Sequence, residues 1–302
     1  TVPGFDAAAQ AQTIQLTRIL MLSPLLFSLS SVASALLHSH RKFLLAGIAP
    51  LFYNLSIIGG VYFFYPVMGL SGLAWGVVLG ALLHLLTQLP AAWRLGLGIF
   101  RKPNLAHPGV KKIAKLFLPR IFGMDLGQIS LYVASIIASF QAPGSLAVFY
   151  FAYDLETVPL GIFAVSFAIA AFPIMSTYFV KHDFVALRDF FSQTMVQILF
   201  LMIPISVLAV LLRAQIVRLI LGAGENTAFS FVDTRHTAQA LGIFALSLFA
   251  QSLVPFFART FYAMQNTVIP VVSGAAGALL NITLALVFAR LWPGPEGLAL
   301  AF

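Results

Sequence analysis

The sequence contains no cysteine, which excludes disulfides, thiolate metal sites and cysteine nucleophiles. Charge is almost as scarce: Asp, Glu, Lys and Arg make up 9% of the 302 residues, against about 25% in a soluble domain. There is no HExxH, no phosphate-cradling glycine loop and no nucleophile elbow, so the usual signatures of zinc hydrolases, nucleotide binding and serine hydrolases are missing. The chain starts Thr1-Val2-Pro3, without a methionine or a signal-peptide pattern.

What remains is apolar. Hydrophobic residues account for 60% of the chain, and the mean hydropathy is +0.97. Apolar runs well beyond 18 residues recur, as in spanning helices rather than barrel strands. The expected fold is an all-α polytopic membrane protein with about eight complete spans and the start of a ninth. The spans are read at 13–39, 43–66, 72–95, 116–140, 145–178, 190–212, 238–258 and 267–289. A last apolar run opens at Leu298, and the chain reads as a fragment of a longer protein.

Charge gives the orientation. Arg41 and Lys42, then Arg101, Lys102, Lys111, Lys112 and Lys115, then Lys181 and Arg188, then Arg259 occupy alternate turns. The turns at 67–71 and 141–144 carry no lysine or arginine. By the positive-inside rule the first set is cytoplasmic. The formal net charge of +8 is therefore read as topology, and no nucleic-acid partner is expected. Arg213, Arg218 and Arg235 fall on the outer side and weaken the rule locally. The basic linker divides the chain into 1–108, three spans and the linker, and 109–302, five spans and the start of a sixth.

One stretch concentrates the polar anomalies. Phe149 to Pro173 is long and apolar enough to span, yet it holds Asp154, Glu156 and Pro159. A charge at the bilayer centre costs roughly 2.5–3.5 kcal/mol on insertion scales, so such groups face a bundle interior or a watery cavity. Pro159 has no N–H and its ring clashes with the carbonyl of Leu155, which predicts a kink. Asp154 and Glu156 are two residues apart and point to nearly opposite sides of a regular helix. Asp125, about 15 Å along its helix from Lys115, shares a face with Gln128. Asp125, Gln128, Asp154 and Glu156 are the candidate lining of a transport cavity, with Arg120 as a pairing cation and Asn54 as a further polar candidate. Asn54 and Asn281 also read as bonds to neighbouring helices, and His84 as a helix-packing hydrogen bond. A polytopic membrane enzyme would carry acid clusters at the membrane surface. Asp183 and Asp189, amid Lys181 and Arg188, read instead as a solvated loop.

Four segments resemble the MurJ (MviN) family of lipid II flippases, within the multidrug/oligosaccharidyl-lipid/polysaccharide exporter superfamily. Residues 48–59, IAPLFYNLSIIG, are similar to the family's aPxxyNxsiI helix. Phe151-Ala152 through Val158-Pro159-Leu160-Gly161-Ile162-Phe163, on to Ala171-Phe172-Pro173 and Ser176, resemble its signature helix. Residues 259–267, RTFYAMQNT, with Pro270 and Asn281, resemble a third motif, and Lys115, Pro119 and Gln128-Ile129 match the helix before the signature.

The resemblance implies that the chain covers the fourth to the early twelfth of fourteen helices, in a two-lobe transporter. Such a protein flips lipid II from the cytoplasmic to the outer leaflet of the bacterial inner (plasma) membrane by alternating access around a cationic cavity. It implies a monomeric transporter and not an enzyme, with lipid II and membrane lipids as partners, Pro159 and Gly161 as kink or hinge, and no cofactor. The membrane potential, protons or a monovalent cation remain as the driving force. A related undecaprenyl-linked oligosaccharide flippase and a cation-coupled drug antiporter of the superfamily are the alternatives. Two positions depart from the family pattern. Asp154 stands where the signature arginine is expected, and Ala134 where some members carry an acidic sodium ligand.

Overall fold

The computed structural model describes residues 3–40, 42–96, 110, 126–222, 229–292 and 294–302. Every regular element among them is helical. In chain order these are α1 (Ala7–Leu20), α2 (Leu22–Ser39), α3 (Phe43–Gly59), a π-helical turn π1 (Gly60–Phe64), α4 (Tyr65–Met68) and α5 (Leu70–Arg94). Next come α6 (Leu126–Ser139), α7 (Ser145–Pro159), a second π segment π2 (Leu160–Val165), α8 (Ser166–Val180) and α9 (Phe184–Leu211). The last are α10 (Arg213–Leu221), α11 (Phe231–Gln251), α12 (Leu253–Ala263), α13 (Val268–Leu291) and α14 (Pro295–Ala299).

Among the described residues, seven helical stretches are long and apolar enough to cross a membrane: Ala7–Ser39, Leu44–Met68, Leu70–Arg94, Ser145–Val180, Phe184–Leu211, Phe231–Ala263 and Val268–Leu291. Of the eighth expected span, 116–140, α6 is the described part; Arg120 and Asp125 lie outside the described residues. The protein is a multi-pass membrane protein.

Several ends differ from the sequence reading. The first span starts at Ala7 rather than Thr13, because Asp6 Oδ1 accepts from Ala9 N at 2.7 Å and caps the helix. The sixth starts at Phe184 rather than Phe190, because Asp183 accepts from Ala186 N at 3.0 Å. Arg188 and Asp189, read as loop, sit on exposed early turns of α9 and pair with each other at 3.1 Å. The seventh runs to Ala263 and takes in Arg259, a partly buried residue of α12 assigned above to a turn. The short turn at 141–144 is as read, with Gly144 at φ +91, a conformation glycine adopts without steric cost.

The chain divides into two compact units, Phe5–Ala114 and Lys115–Phe302, the second including Thr1–Gly4. In the first unit, α5 is the centre and packs on α2, α3 and π1. One row of α5, spaced every fourth residue, takes part in this packing: Gly72, Gly76, Gly80, His84 and Gln88. The glycines admit backbone. A Cβ on Gly76 would stand 3.0 Å from Gly60 Cα, and one on Gly80 would stand 2.8 Å from Tyr53 O. Ser56 Oγ donates to Gly76 O across the same seam at 3.0 Å. This is the small-residue helix contact favoured in lipid, where apolar side chains gain little by leaving the tails.

Lower on the row the contact turns polar and faces α2. His84 Nδ1 and Ser30 Oγ lie 2.7 Å apart, Gln88 Nε2 donates to Ser30 Oγ at 3.0 Å, and Ser34 Oγ donates to Gln88 Oε1. Gln88 is fully buried, and His84 belongs to this helix-packing cluster. Replacing Gln88 by Leu would leave Ser30 and Ser34 short of a partner. The expected cost is about 1–3 kcal/mol, read as a lower midpoint of thermal unfolding of the purified full-length protein; an unchanged midpoint would contradict it.

In the second unit, α11 packs against α9, α7 and α10, α13 against α6, and α12 against α8. Two apolar clusters form its interior. One gathers Phe149, Phe244, Leu131, Ala134, Ala285 and Leu298. The other gathers Met175, Ile198, Met202, Leu248 and Phe256.

Candidate functional site

The chain has nine acidic residues, and the structure gives most of the described ones a local task. Asp6 and Asp183 cap helices. Asp233 forms a capping box with Ser230 at the start of α11. Asp189 pairs with Arg188, and Glu296 accepts from or pairs with His236 at 2.7 Å. Asp125 and Glu225 lie outside the described residues. That leaves Asp154 and Glu156, both on α7 and both within a spanning helix.

The two carboxylates part company as their spacing requires. Glu156 is 2% exposed and faces α11, where its Oε1 accepts from Gln251 Nε2 at 2.7 Å. The same nitrogen donates to Ser247 Oγ at 2.8 Å, one turn back on α11. Asp154 is exposed, and its carboxylate has no ion pair or hydrogen bond among the described residues. Three residues beyond Glu156, Pro159 ends the α-helical ladder. The chain passes into π2 and resumes as α8 only at Ser166. The missing N–H at Pro159 is thus accommodated by a wider turn rather than by a simple bend. Gly161 lies within π2, where a Cβ would meet nothing within 4 Å.

Glu156 lines one cavity of the second unit and is hydrogen-bonded to a residue that lines another. The first, of about 280 Å³, is walled by aliphatic side chains of α7, α9, α10 and α11, with Glu156 in its lining. The second, larger at about 590 Å³, is lined by Ser130, Gln251, Tyr262 and Asn281 among small and apolar residues. Gln251 belongs to the second cavity and reaches the carboxylate of the first. Asn281 donates to Ala301 O at 2.8 Å, while its Oδ1 is buried without a partner among the described residues.

The residues singled out from the sequence differ in their surroundings where they are described. Glu156 is buried, Asp154 and Gln128 are exposed, and Asn54 is exposed on α3 of the other unit without a side-chain hydrogen bond among the described residues. Gln128 does not line the larger cavity, although its neighbour Gly127 does. Arg120 and Asp125 lie outside the described residues. Gln251 and Ser247 escaped sequence reasoning altogether. Their only signal was polarity in an apolar span, and Gln251 stands 95 residues from its partner. Ala134 is fully buried in the first apolar cluster, and its methyl group offers a cation no oxygen.

A family model described as lipid II flippase MurJ matches residues 1–302. A probable lipid II flippase MurJ of Vibrio cholerae is 31% identical over 277 residues, 90% of this chain and 51% of that protein. A lipid II flippase MurJ of Burkholderia cenocepacia is 28% identical over 276 residues, 88% of this chain and 52% of that protein. The chain spans about half the length of the curated relatives it matches. Among solved structures, a lipid II flippase MurJ in an inward closed conformation superposes with a TM-score of 0.84 at 24% identity, over 99% of this chain and 62% of that one. An inward-facing multidrug resistance MATE family transporter of the MOP superfamily gives 0.78 at 15% identity, over 99% and 69%. The two superpositions bear on the fold, and the family model, matched from the first residue to the last, bears on descent: this chain belongs to the lipid II flippase MurJ family.

Proposed function

We propose that the chain forms part of a monomeric transporter that moves lipid II from the cytoplasmic to the outer leaflet of the bacterial inner membrane by alternating access. The observation that carries this reading is the family-model match along the whole chain. The loop charges agree with it, because the basic turns place one end of every span on the cytoplasmic side. The substrate is moved and not altered: no bond is made or broken, and the chain supplies a path rather than a nucleophile. Within the second unit the path is served by a helix interrupted at Pro159, with a carboxylate on each side of it.

The test is genetic. The full-length protein, expressed in a bacterium depleted of its own lipid II flippase, should restore growth and the appearance of lipid II at the outer leaflet. Confirmed membrane insertion with no rescue would overturn the reading.

A further inference from the structure

A carboxylate buried at depth in a spanning helix demands a partner, and the partner here is an amide. Gln251 Nε2 donates to Glu156 Oε1 at 2.7 Å, and Ser247 Oγ shares that nitrogen. No ion pair involves Glu156 among the described residues. The charged and titratable groups on the packed elements are engaged elsewhere or sit at helix ends. Arg213 on α10 donates to Val210 O and lies against Gly242, and Arg218 lies against Gly222. Asp233 is a cap, Arg235 is exposed near the start of α11, and His236 and Glu296 pair with each other. Tyr150 bonds Ser135, and Tyr153 and Asp154 share α7 with Glu156. On α9 the stretch 190–211 has no charged residue, nor do the described residues of α6.

An amide suits two states of an acid where a cation would suit one. Its nitrogen donates to the carboxylate, and with the amide turned over its oxygen accepts the O–H of the neutral acid. A metal cation needs several oxygen ligands. Here even a turned Gln251 would add only one oxygen to the carboxylate, and the wall of the cavity that Glu156 lines is aliphatic. Polarity also differs on the two sides. The cavity beyond Gln251 carries the polar groups of Ser130, Tyr262 and Asn281, whereas the cavity against the other flank of Glu156 is apolar. The amide side is therefore the polar one, and the other flank of the carboxylate is hydrocarbon-lined.

We propose that Glu156 and Gln251 form a proton-binding site of the transport cycle, loaded and emptied from the polar cavity through Gln251. The site stands three residues before Pro159, so its charge state acts on the contact between α7 and α11 next to the interrupted ladder. The proposal takes its cycle from the transport reading above, but proton binding itself needs no lipid substrate.

The test uses dicyclohexylcarbodiimide, an apolar reagent that adds a protonated carboxyl across its C=N bond and rearranges to a stable N-acylurea. Full-length protein in lipid nanodiscs is treated over a pH series, and the modified peptide is located by mass spectrometry. The expected result is modification at Glu156 that falls about tenfold per pH unit on the alkaline limb. It is absent in Glu156→Gln and unaffected by sodium at constant pH. No adduct at Glu156, an adduct indifferent to pH, or protection by sodium would each overturn the proposal. In proteoliposomes, a pH gradient should change lipid II movement by the wild type and leave Glu156→Gln unresponsive; an equal response in both would also overturn it. If lipid II does not move yet Glu156 is modified as described, the transport reading falls and the proton site stands. If lipid II moves and Glu156 is not modified, the reverse holds.

Discussion

Replacing Gly76 by Leu should prevent the first unit from folding. Gly76 meets Gly60 where α5 crosses the π1 turn, and even a Cβ there would stand 3.0 Å from the Gly60 Cα. The neighbours cannot yield by rotating a side chain, since the facing atoms are backbone on both sides. Gly60 is equally constrained, with its own Cβ position 2.9 Å from Gly76 Cα. Overpacking a well-filled core typically costs 1–3 kcal/mol; with backbone on both sides of the seam, a whole isobutyl group should exceed that range. Separating the helices would also break the bond from Ser56 Oγ to Gly76 O. The full-length Gly76→Leu protein should not accumulate in the membrane, while Ser56→Ala, which removes one hydrogen bond, should accumulate and melt slightly early. Gly76→Leu protein with wild-type yield and melting would show that the seam opens at little cost.

Phe149→Ala should be the most damaging truncation in the second unit. The ring is fully buried, with Phe302, Phe244 and Tyr150 edge-on at centroid distances of 5.6, 5.7 and 5.8 Å, and Tyr153 stacked at 6.4 Å. Removing a buried phenylalanine costs about 3–5 kcal/mol in water-soluble cores. In lipid the transfer part of that figure is reduced, because tails are as apolar as the interior. The cavity and the lost dispersion contacts remain, so a loss near the lower end, about 3 kcal/mol, is expected. Reversible unfolding of the purified protein in mixed micelles measures it. A change below about 1 kcal/mol would mean that Tyr153 and Phe244 close the hole.

These two sites mark where the sequence was readable and where it was not. Most spans, the Gly144 turn and the interruption at Pro159 were legible, because each depends on residues close together in the chain. The opposite orientation of Asp154 and Glu156 was legible too, from helical periodicity alone. Which of them would be buried was not, because that depends on Gln251, far along the chain on another helix. The glycine row of α5 stood in plain view at a spacing of four, but its meaning requires knowing that α3 lies against it. Arg259 reads as a turn residue in the sequence because charge ordinarily ends a span; in the structure α12 continues to Ala263 with that side chain partly buried.

The π2 segment can also be regarded as a matter of counting. Along the signature helix, Phe149 and Glu156 are buried seven residues apart, and so are Ala164 and Ala171. Between Glu156 and Ala164 the step is eight. Two turns of uninterrupted α-helix would carry Phe163 toward the buried row, but Phe163 is only partly buried and Ala164 is fully so. The widened turn absorbs one supernumerary residue. The hydrogen-bond ladder is broken at Pro159, yet a single buried seam runs the whole length of the helix without changing sides.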